Sequence, residues 1–185
     1  MGFHTFDADR AEALEDASRY RYCSREELLS LLGVGAEAVV ADLGSGTGFY
    51  TDDVAPHVGT CYAVDVQSAM HDHYREKGLP ASVETVTAEV GDLPFADDAL
   101  DAAFSTMTYH EFATPDSFAE LARVVRPGGR VVTVDWSADG DGESGPPREE
   151  RYALEDAVAG FSAAGFRVAR GETRRETFVC VALAE

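Results

Sequence analysis

From residue 36 onward the apolar residues of this chain fall into two alternating patterns. Short runs rich in valine and alanine, Ala38 to Leu43, Thr60 to Val64, Ser82 to Thr87, Leu100 to Ser105 and Arg130 to Asp135, read as strands. Between them lie stretches with apolar residues at helical spacing, and this alternation predicts a parallel sheet covered by helices on both faces. The best punctuated helix has Thr114 as N-cap, Pro115 in its first turn and Phe118, Leu121, Ala122 and Val125 on one face. Pro127-Gly128-Gly129 is expected to end it. A further helix carries Leu154, Val158 and Phe161 and is closed by Gly165. Two last strands, Phe166 to Ala169 and Thr177 to Leu183, are joined by a charged turn and predict an antiparallel hairpin at the edge of the sheet.

Two regions stand outside the alternation. Residues 1–35 read as a helical cap whose clearest piece is Ser24-Arg25-Glu26-Glu27, a capping-box pattern before Leu28, Leu29, Leu31 and Leu32, stopped by Gly33. Ser137 to Pro147 (SADGDGESGPP) is polar, acidic and rich in glycine and proline, the composition of a mobile loop. A length of 185 residues suits a single domain. Its expected parts are the cap (1–35), a core (36–135), the acidic loop (136–147) and a C-terminal helix with hairpin (148–185).

The sharpest segment is VVADLGSGTGFYT, a strand ending near Asp42 and then glycine at positions 44, 46 and 48. A strand that turns at once into a helix needs permissive backbone angles, and a ligand lying against the main chain excludes a Cβ. Asp65 ends the next strand (CYAVDV), where an acid receives a pair of ribose hydroxyls. The dinucleotide fingerprint G-x-G-x-x-G is not met, because Phe49 stands where its third glycine belongs. That counts against an NAD-dependent oxidoreductase.

The pattern Asp-x-Gly-x-Gly-x-Gly resembles the first motif of the class I S-adenosylmethionine-dependent methyltransferases, and the resemblance runs from Ala38 to Arg130. AEVGDLPFADDALDAAFS is similar to that family's G-D-A-x-x-L-P-F segment, LARVVRPGGRVVTVDW to its Leu-Arg-Pro-Gly-Gly turn, and FSAAGF to the opening of its final hairpin. The resemblance implies a Rossmann-like, doubly wound α/β fold with a seven-stranded sheet, mostly parallel, whose last strand is antiparallel. It implies S-adenosylmethionine as cofactor and in-line methyl transfer to a small-molecule acceptor, most like the quinone-biosynthesis group. A non-catalytic binder of the same cofactor on the same fold is the alternative of another class.

Residue by residue, the resemblance puts Asp42, Gly44, Ser45, Gly46 and Gly48 at the methionine part of the cofactor and Asp65 with Val66 at the ribose. Glu89 with Val90 falls at the adenine, although the family has Asp there and Asp92 lies near enough to compete. Ser105, Thr106 and Met107 fall at the sulfonium end. Methyl transfer from a sulfonium asks the protein for placement, dryness and sometimes a base. The candidate base is His110, between Tyr109 and Glu111 in TMTYHEF, and the alternative reading has it only lining the pocket. His71-Asp72-His73 could suggest a metal, but residues two apart on a helix face different ways and no matching cluster accompanies them. A solvated helix face is expected there, and no metal.

Charge adds what the pattern cannot. Thirty-four acidic against 15 basic residues give a net charge of −19, and Lys77 is the sole lysine. No basic stripe exists to displace counterions from a phosphate backbone, so a nucleic-acid partner is excluded. The acid excess reads as a halophilic, haloarchaeal-type surface. Three widely spaced cysteines, Cys23, Cys61 and Cys180, without a CxxC pair suit a reducing cytoplasm. No apolar run approaches a membrane span, and nothing in the pattern fixes an oligomeric state. The acceptor is expected between the sheet's C-terminal rim, the leucine helix after Ser24 and the acidic loop, with Tyr20 and Tyr22 offering aromatic surface.

Overall fold

The protein's structure, a computed structural model, describes residues 8–185, so the first seven residues of the expected cap lie outside the described residues. One sheet carries seven strands: β1 (Val39–Leu43), β2 (Thr60–Asp65), β3 (Val83–Thr87), β4 (Leu100–Thr106), β5 (Val125–Trp136), β6 (Phe166–Thr173) and β7 (Thr177–Ala184). Their order is β3-β2-β1-β4-β5-β7-β6, and β7 runs antiparallel to both of its neighbours. This is the expected Rossmann-like mixed sheet, with the hairpin at one edge. β1 and β4 are parallel neighbours, but the strand order is built outward in opposite senses from them, β2 and β3 on one side and β5 on the other, which opens a crevice at the carboxyl ends of the central strands.

Among the described residues six α-helices flank the sheet: α1 (Arg25–Leu32), α2 (Phe49–Val54), α3 (Ser68–Lys77), α4 (Tyr109–Phe112), α5 (Pro115–Val124) and α6 (Leu154–Ala163). Because successive strand residues point to opposite faces, Val40, Phe104, Val132 and Val134 form one core with Leu28, Leu32, Val54 and Tyr74. Ala41, Ala103 and Val131 form the other with Leu121, Phe118 and Phe161. Ser24 caps α1 by accepting from Glu27 N, and Thr114 caps α5 by accepting from Ser117 N.

Four local expectations change. The leucine helix α1 packs on the face of the sheet, against α2 and β5, rather than over its rim, because Leu28, Leu31 and Leu32 enter the sheet core. Helix α5 stops at Val124, before Pro127, because Val125 already pairs with Leu100; the turn 127–129 then bulges out and pairing resumes at Arg130 with Ala102. His71 is fully buried, its Nδ1 3.1 Å from Thr87 Oγ1, while Asp72 and His73 are exposed, so only part of that segment is a solvated face. Tyr20 donates to Asp53 and packs on Phe49, and Tyr22 packs on Trp136 at 4.7 Å between ring centroids, so both serve the cap's attachment.

The acidic loop is tied to the body. Glu176 accepts from Gly142 N and Glu143 N, and Arg151 donates to Pro146 O and Ser144 O. Among the described residues no helix is long and apolar enough to cross a membrane.

Candidate active site

The site grows out of the corner where β1 gives way to α2. Gly44 N and Ser45 N both donate to Val64 O, at 2.8 and 2.9 Å, which ties the corner to the end of β2. Gly46 takes φ +53° and donates its N–H to Asp65 Oδ2 at 2.9 Å, while Gln67 N donates to Asp65 Oδ1 at the same distance. Gly48 takes φ +82° at the N-terminus of α2, and a Cβ there would lie 2.2 Å from the Tyr74 ring. The alternating glycines therefore divide their work. Gly44 makes room for Thr108, whose side chain a Cβ would meet at 2.6 Å, Gly46 lies 3.0 Å by the same measure from Leu14, and Gly48 lets α2 close against α3.

Asp42 sits under this corner and is almost wholly buried. Its Oδ2 accepts from Thr51 Oγ1 at 2.7 Å, but Oδ1 has no hydrogen-bond partner among the described residues. Burial pushes the carboxyl from 3.8 to about 7; the Thr51 hydrogen bond and the Arg19 charge oppose this, and Asp65 adds to it. A buried carboxylate oxygen without a donor is costly in an isolated protein and fits a site built for a cationic ligand group.

A cavity of about 480 Å³ opens above. The wall nearest the glycine corner holds Asp42, Gly44, Ser45, Gly46 and Asp65, and Leu14 and Arg19 join it from the N-terminal segment. That segment, two 3-10 turns (Ala8–Glu15 and Ala17–Arg21), is strapped down by Glu15, which accepts from Thr47 Oγ1 and from Lys77 Nζ at 3.1 Å. Arg19 lies 5.4 Å from the ring centroids of both Phe49 and Tyr50, and its Nε is buried without a partner among the described residues.

The far wall is built from the end of β4, α4 and the residues after β5. Met107, at φ +64°, makes the turn out of β4 and is held by donation from its N–H to Val134 O. His110 follows, with its N–H donating to Asp135 Oδ2 at 2.7 Å and its Nδ1 2.9 Å from the same oxygen. Burial lowers the imidazole's proton affinity, but the Asp135 hydrogen bond and charge outweigh it, and the net shift is upward. The neighbouring Glu111 carboxyl is raised by burial to about 7, with His110 opposing and Asp65 and Asp135 adding. Trp136, Gly145, Pro146 and Glu150 complete this end. With Nδ1 facing a buried carboxylate, Nε2 is the ring nitrogen left to exchange a proton.

Of the residues singled out in the sequence, Asp42, Gly44, Ser45, Gly46, Asp65, Thr106 and His110 line the cavity. Gly48, Val66, Glu89, Val90 and Ser105 do not. Val66 is exposed beside Asp65, Glu89 and Asp92 are both exposed, Val90 is in the core, and Ser105 is fully buried with an unpartnered hydroxyl. Sequence reasoning missed Asp135, although it closes a parallel strand as Asp65 does, and it missed Glu150 and Trp136, which carry no local signal.

A methyltransferase-domain family model matches residues 41–133, half of the chain. The biotin biosynthesis bifunctional protein BioHC of Cellvibrio japonicus is 38% identical over 91 residues, 49% of this chain and 18% of that protein. Demethylmenaquinone methyltransferase of Mycobacterium sp. (strain JLS) is 34% identical over 116 residues, 61% of this chain and 48% of its own, so the chain spans half or less of these curated relatives. Among solved structures, a SAM-dependent methyltransferase from Aquifex aeolicus superposes with a TM-score of 0.88 at 31% identity, covering 98% of this chain and all of that one.

Proposed function

Because the chain belongs to the class I S-adenosylmethionine-dependent methyltransferases, we propose that its cavity takes S-adenosylmethionine along the glycine corner and a small-molecule methyl acceptor at the His110 end. The observation that carries this reading is the unpartnered buried oxygen of Asp42 beside Arg19 in one cavity with Asp65. An amino acid offers an ammonium and a carboxylate together, and those two side chains complement them. Asp65, steered by Gly46 N and Gln67 N, keeps lone pairs for a ribose hydroxyl pair.

When bound, S-adenosylmethionine supplies an electrophilic methyl group whose departure leaves a thioether. The chain's own part is placement and proton handling. Thr106, Met107 and Thr108 border the reacting centre, and Thr108 Oγ1 is fixed by donation to Leu43 O at 3.2 Å. His110, with Asp135 behind Nδ1, receives the acceptor's proton at Nε2. Leu14 and Pro146 add apolar surface to the wall, which favours a dry transfer.

Calorimetry tests the reading. S-Adenosylmethionine and S-adenosylhomocysteine should bind and NAD should bind weakly or not at all. Asp65→Ala should cost at least about tenfold in affinity through loss of charge-assisted hydrogen bonds. NAD binding more tightly, or an Asp65→Ala protein binding as well as the parent, defeats it.

A further inference from the structure

The two ends of the cavity differ in how their charges are matched. At the cofactor end, Arg19 stands with Asp42 and Asp65; at the far end stand Glu111 and Glu150, and among the described residues the wall holds no lysine and no arginine besides Arg19. The arginines nearest the far end are committed elsewhere. Arg151 donates to Pro146 O, Ser144 O and Ser137 O with its guanidinium 5.6 Å from the Trp136 ring centroid, and Arg148 donates to Gly140 O. Neither Glu111 nor Glu150 accepts a hydrogen bond or joins a salt bridge through its side chain among the described residues, and the nearby ring of His110 is committed through Nδ1 to Asp135.

A surface adapted to salt does not account for this end. Exposed acids are screened in concentrated salt, whereas Glu111 is half-buried and Asp135 is fully buried, where salt screens much less. An anionic acceptor, whether carboxylate, phosphate or diphosphate, would meet like charge without a compensating cation. A cation would supply the partner that both glutamates lack.

We propose that the methyl acceptor is a nitrogen base, entering as an ammonium held by Glu111 and Glu150 and methylated on that nitrogen. The proposal rests on the reading of the cavity as a methyltransferase site. In the reaction one N–H proton passes from the ammonium to His110 Nε2. The freed lone pair forms the new N–CH3 bond, and the electron pair of the broken S–CH3 bond stays on sulfur. The product leaves as a methylammonium, its positive charge in place of that lost from the sulfonium.

The test is to separate a small-molecule extract of the host cell by ion exchange at neutral pH into cationic, neutral and anionic pools. Each pool is incubated with the full chain and S-adenosylmethionine, and S-adenosylhomocysteine release is measured. Release with the cationic pool, and not with the other two, is expected. The acceptor purified from that pool should then show a KM raised at least about tenfold in Glu150→Gln or Glu111→Gln, while calorimetric affinity for S-adenosylhomocysteine stays within about twofold. Release driven by the neutral or anionic pool, release with none while S-adenosylmethionine still binds, or KM unchanged in both variants overturns the proposal. Failure of S-adenosylmethionine itself to bind is a different result, and it brings down the reading of the whole cavity.

Discussion

Replacing Asp42 by asparagine should make the isolated protein more stable and a worse binder, and the gain in stability should depend on pH. The carboxyl is almost wholly buried, with one oxygen satisfied by Thr51 and the other unpartnered. Burial raises it from 3.8 to about 7, so folding takes up a proton between those values. Near pH 4 the folded carboxyl is protonated and the unfolded one is close to half protonated, so the cost stays below about 1 kcal/mol. It grows as the pH climbs toward 7 and is complete above it, where a shift of this size amounts to about 4 kcal/mol. Asparagine keeps an acceptor for Thr51, though a neutral one, which gives back about 1 kcal/mol. Net stabilisation of about 3 kcal/mol at pH 8 should move the urea midpoint up by about 1.5 M at an m-value of about 2 kcal/mol/M.

The measurement is a pair of urea titrations, parent and Asp42→Asn, at pH 4 and pH 8. The two proteins should nearly coincide at pH 4 and separate at pH 8. In the same variant S-adenosylmethionine affinity should fall at least about tenfold, since the unpartnered oxygen is the one assigned to the ammonium. A variant less stable than the parent at pH 8, or a gain of equal size at both pH values, would show that the buried charge is not the cause.

Asp135→Asn should leave a side-chain oxygen to accept from the His110 backbone N–H but remove the charge that raises the imidazole. The acidic limb of the kcat/KM profile should therefore move to lower pH while the plateau falls; an unmoved limb means that His110 is not the base. Gly48→Ala puts a Cβ 2.2 Å from a Tyr74 ring that is anchored by its own 2.6 Å hydrogen bond to Asp52, and should cost about 3 kcal/mol or more. Gly78→Ala, also at positive φ but with nothing within 4 Å, is the control and should cost about 1 kcal/mol; equal losses would refute steric closure at Gly48. With a net charge of −19, the melting temperature should rise steadily from millimolar to molar KCl, and a flat curve would remove self-repulsion as a factor.

The sheet was legible because its central strands are apolar on both faces and its corners are punctuated by glycine and proline. Asp42, Gly46 and Asp65 were legible for a related reason: each stands at a strand end or in the turn that follows, where local pattern and position in the fold coincide. The opposite wall had no such coincidence. Glu150 reaches the cavity only because Arg151 and Glu176 fold the acidic loop back over Trp136, a contact between segments that no periodicity links. The leucine helix shows the limit of amphipathicity, which told that Leu28 and Leu32 would be buried but not against which surface. Its apolar stripe met the face of the sheet, and the rim was left to the irregular turns before it.

That division has a physical consequence for how ligands enter. The floor of the cavity is made of strand ends whose neighbours along β1, β2, β4 and β5 are locked into two apolar cores. Its roof is made of short turns and a loop: Glu15 reaches Thr47 and Lys77 and Arg19 stacks on Phe49 and Tyr50 on one side, while on the other the buried Arg151 and Glu176 hold the loop and Arg175 pairs with Asp141 at the surface. Exposed ion pairs of this kind contribute at most about 1 kcal/mol each, far less than the burial that holds the strands. Breaking the Glu15 contacts therefore loosens the turn that carries Leu14 without disturbing any strand pairing, while Arg19 stays held by its rings and by Tyr50 Oη donating to its carbonyl, so the first part of the roof to move leaves the floor and its aligned carboxylates intact.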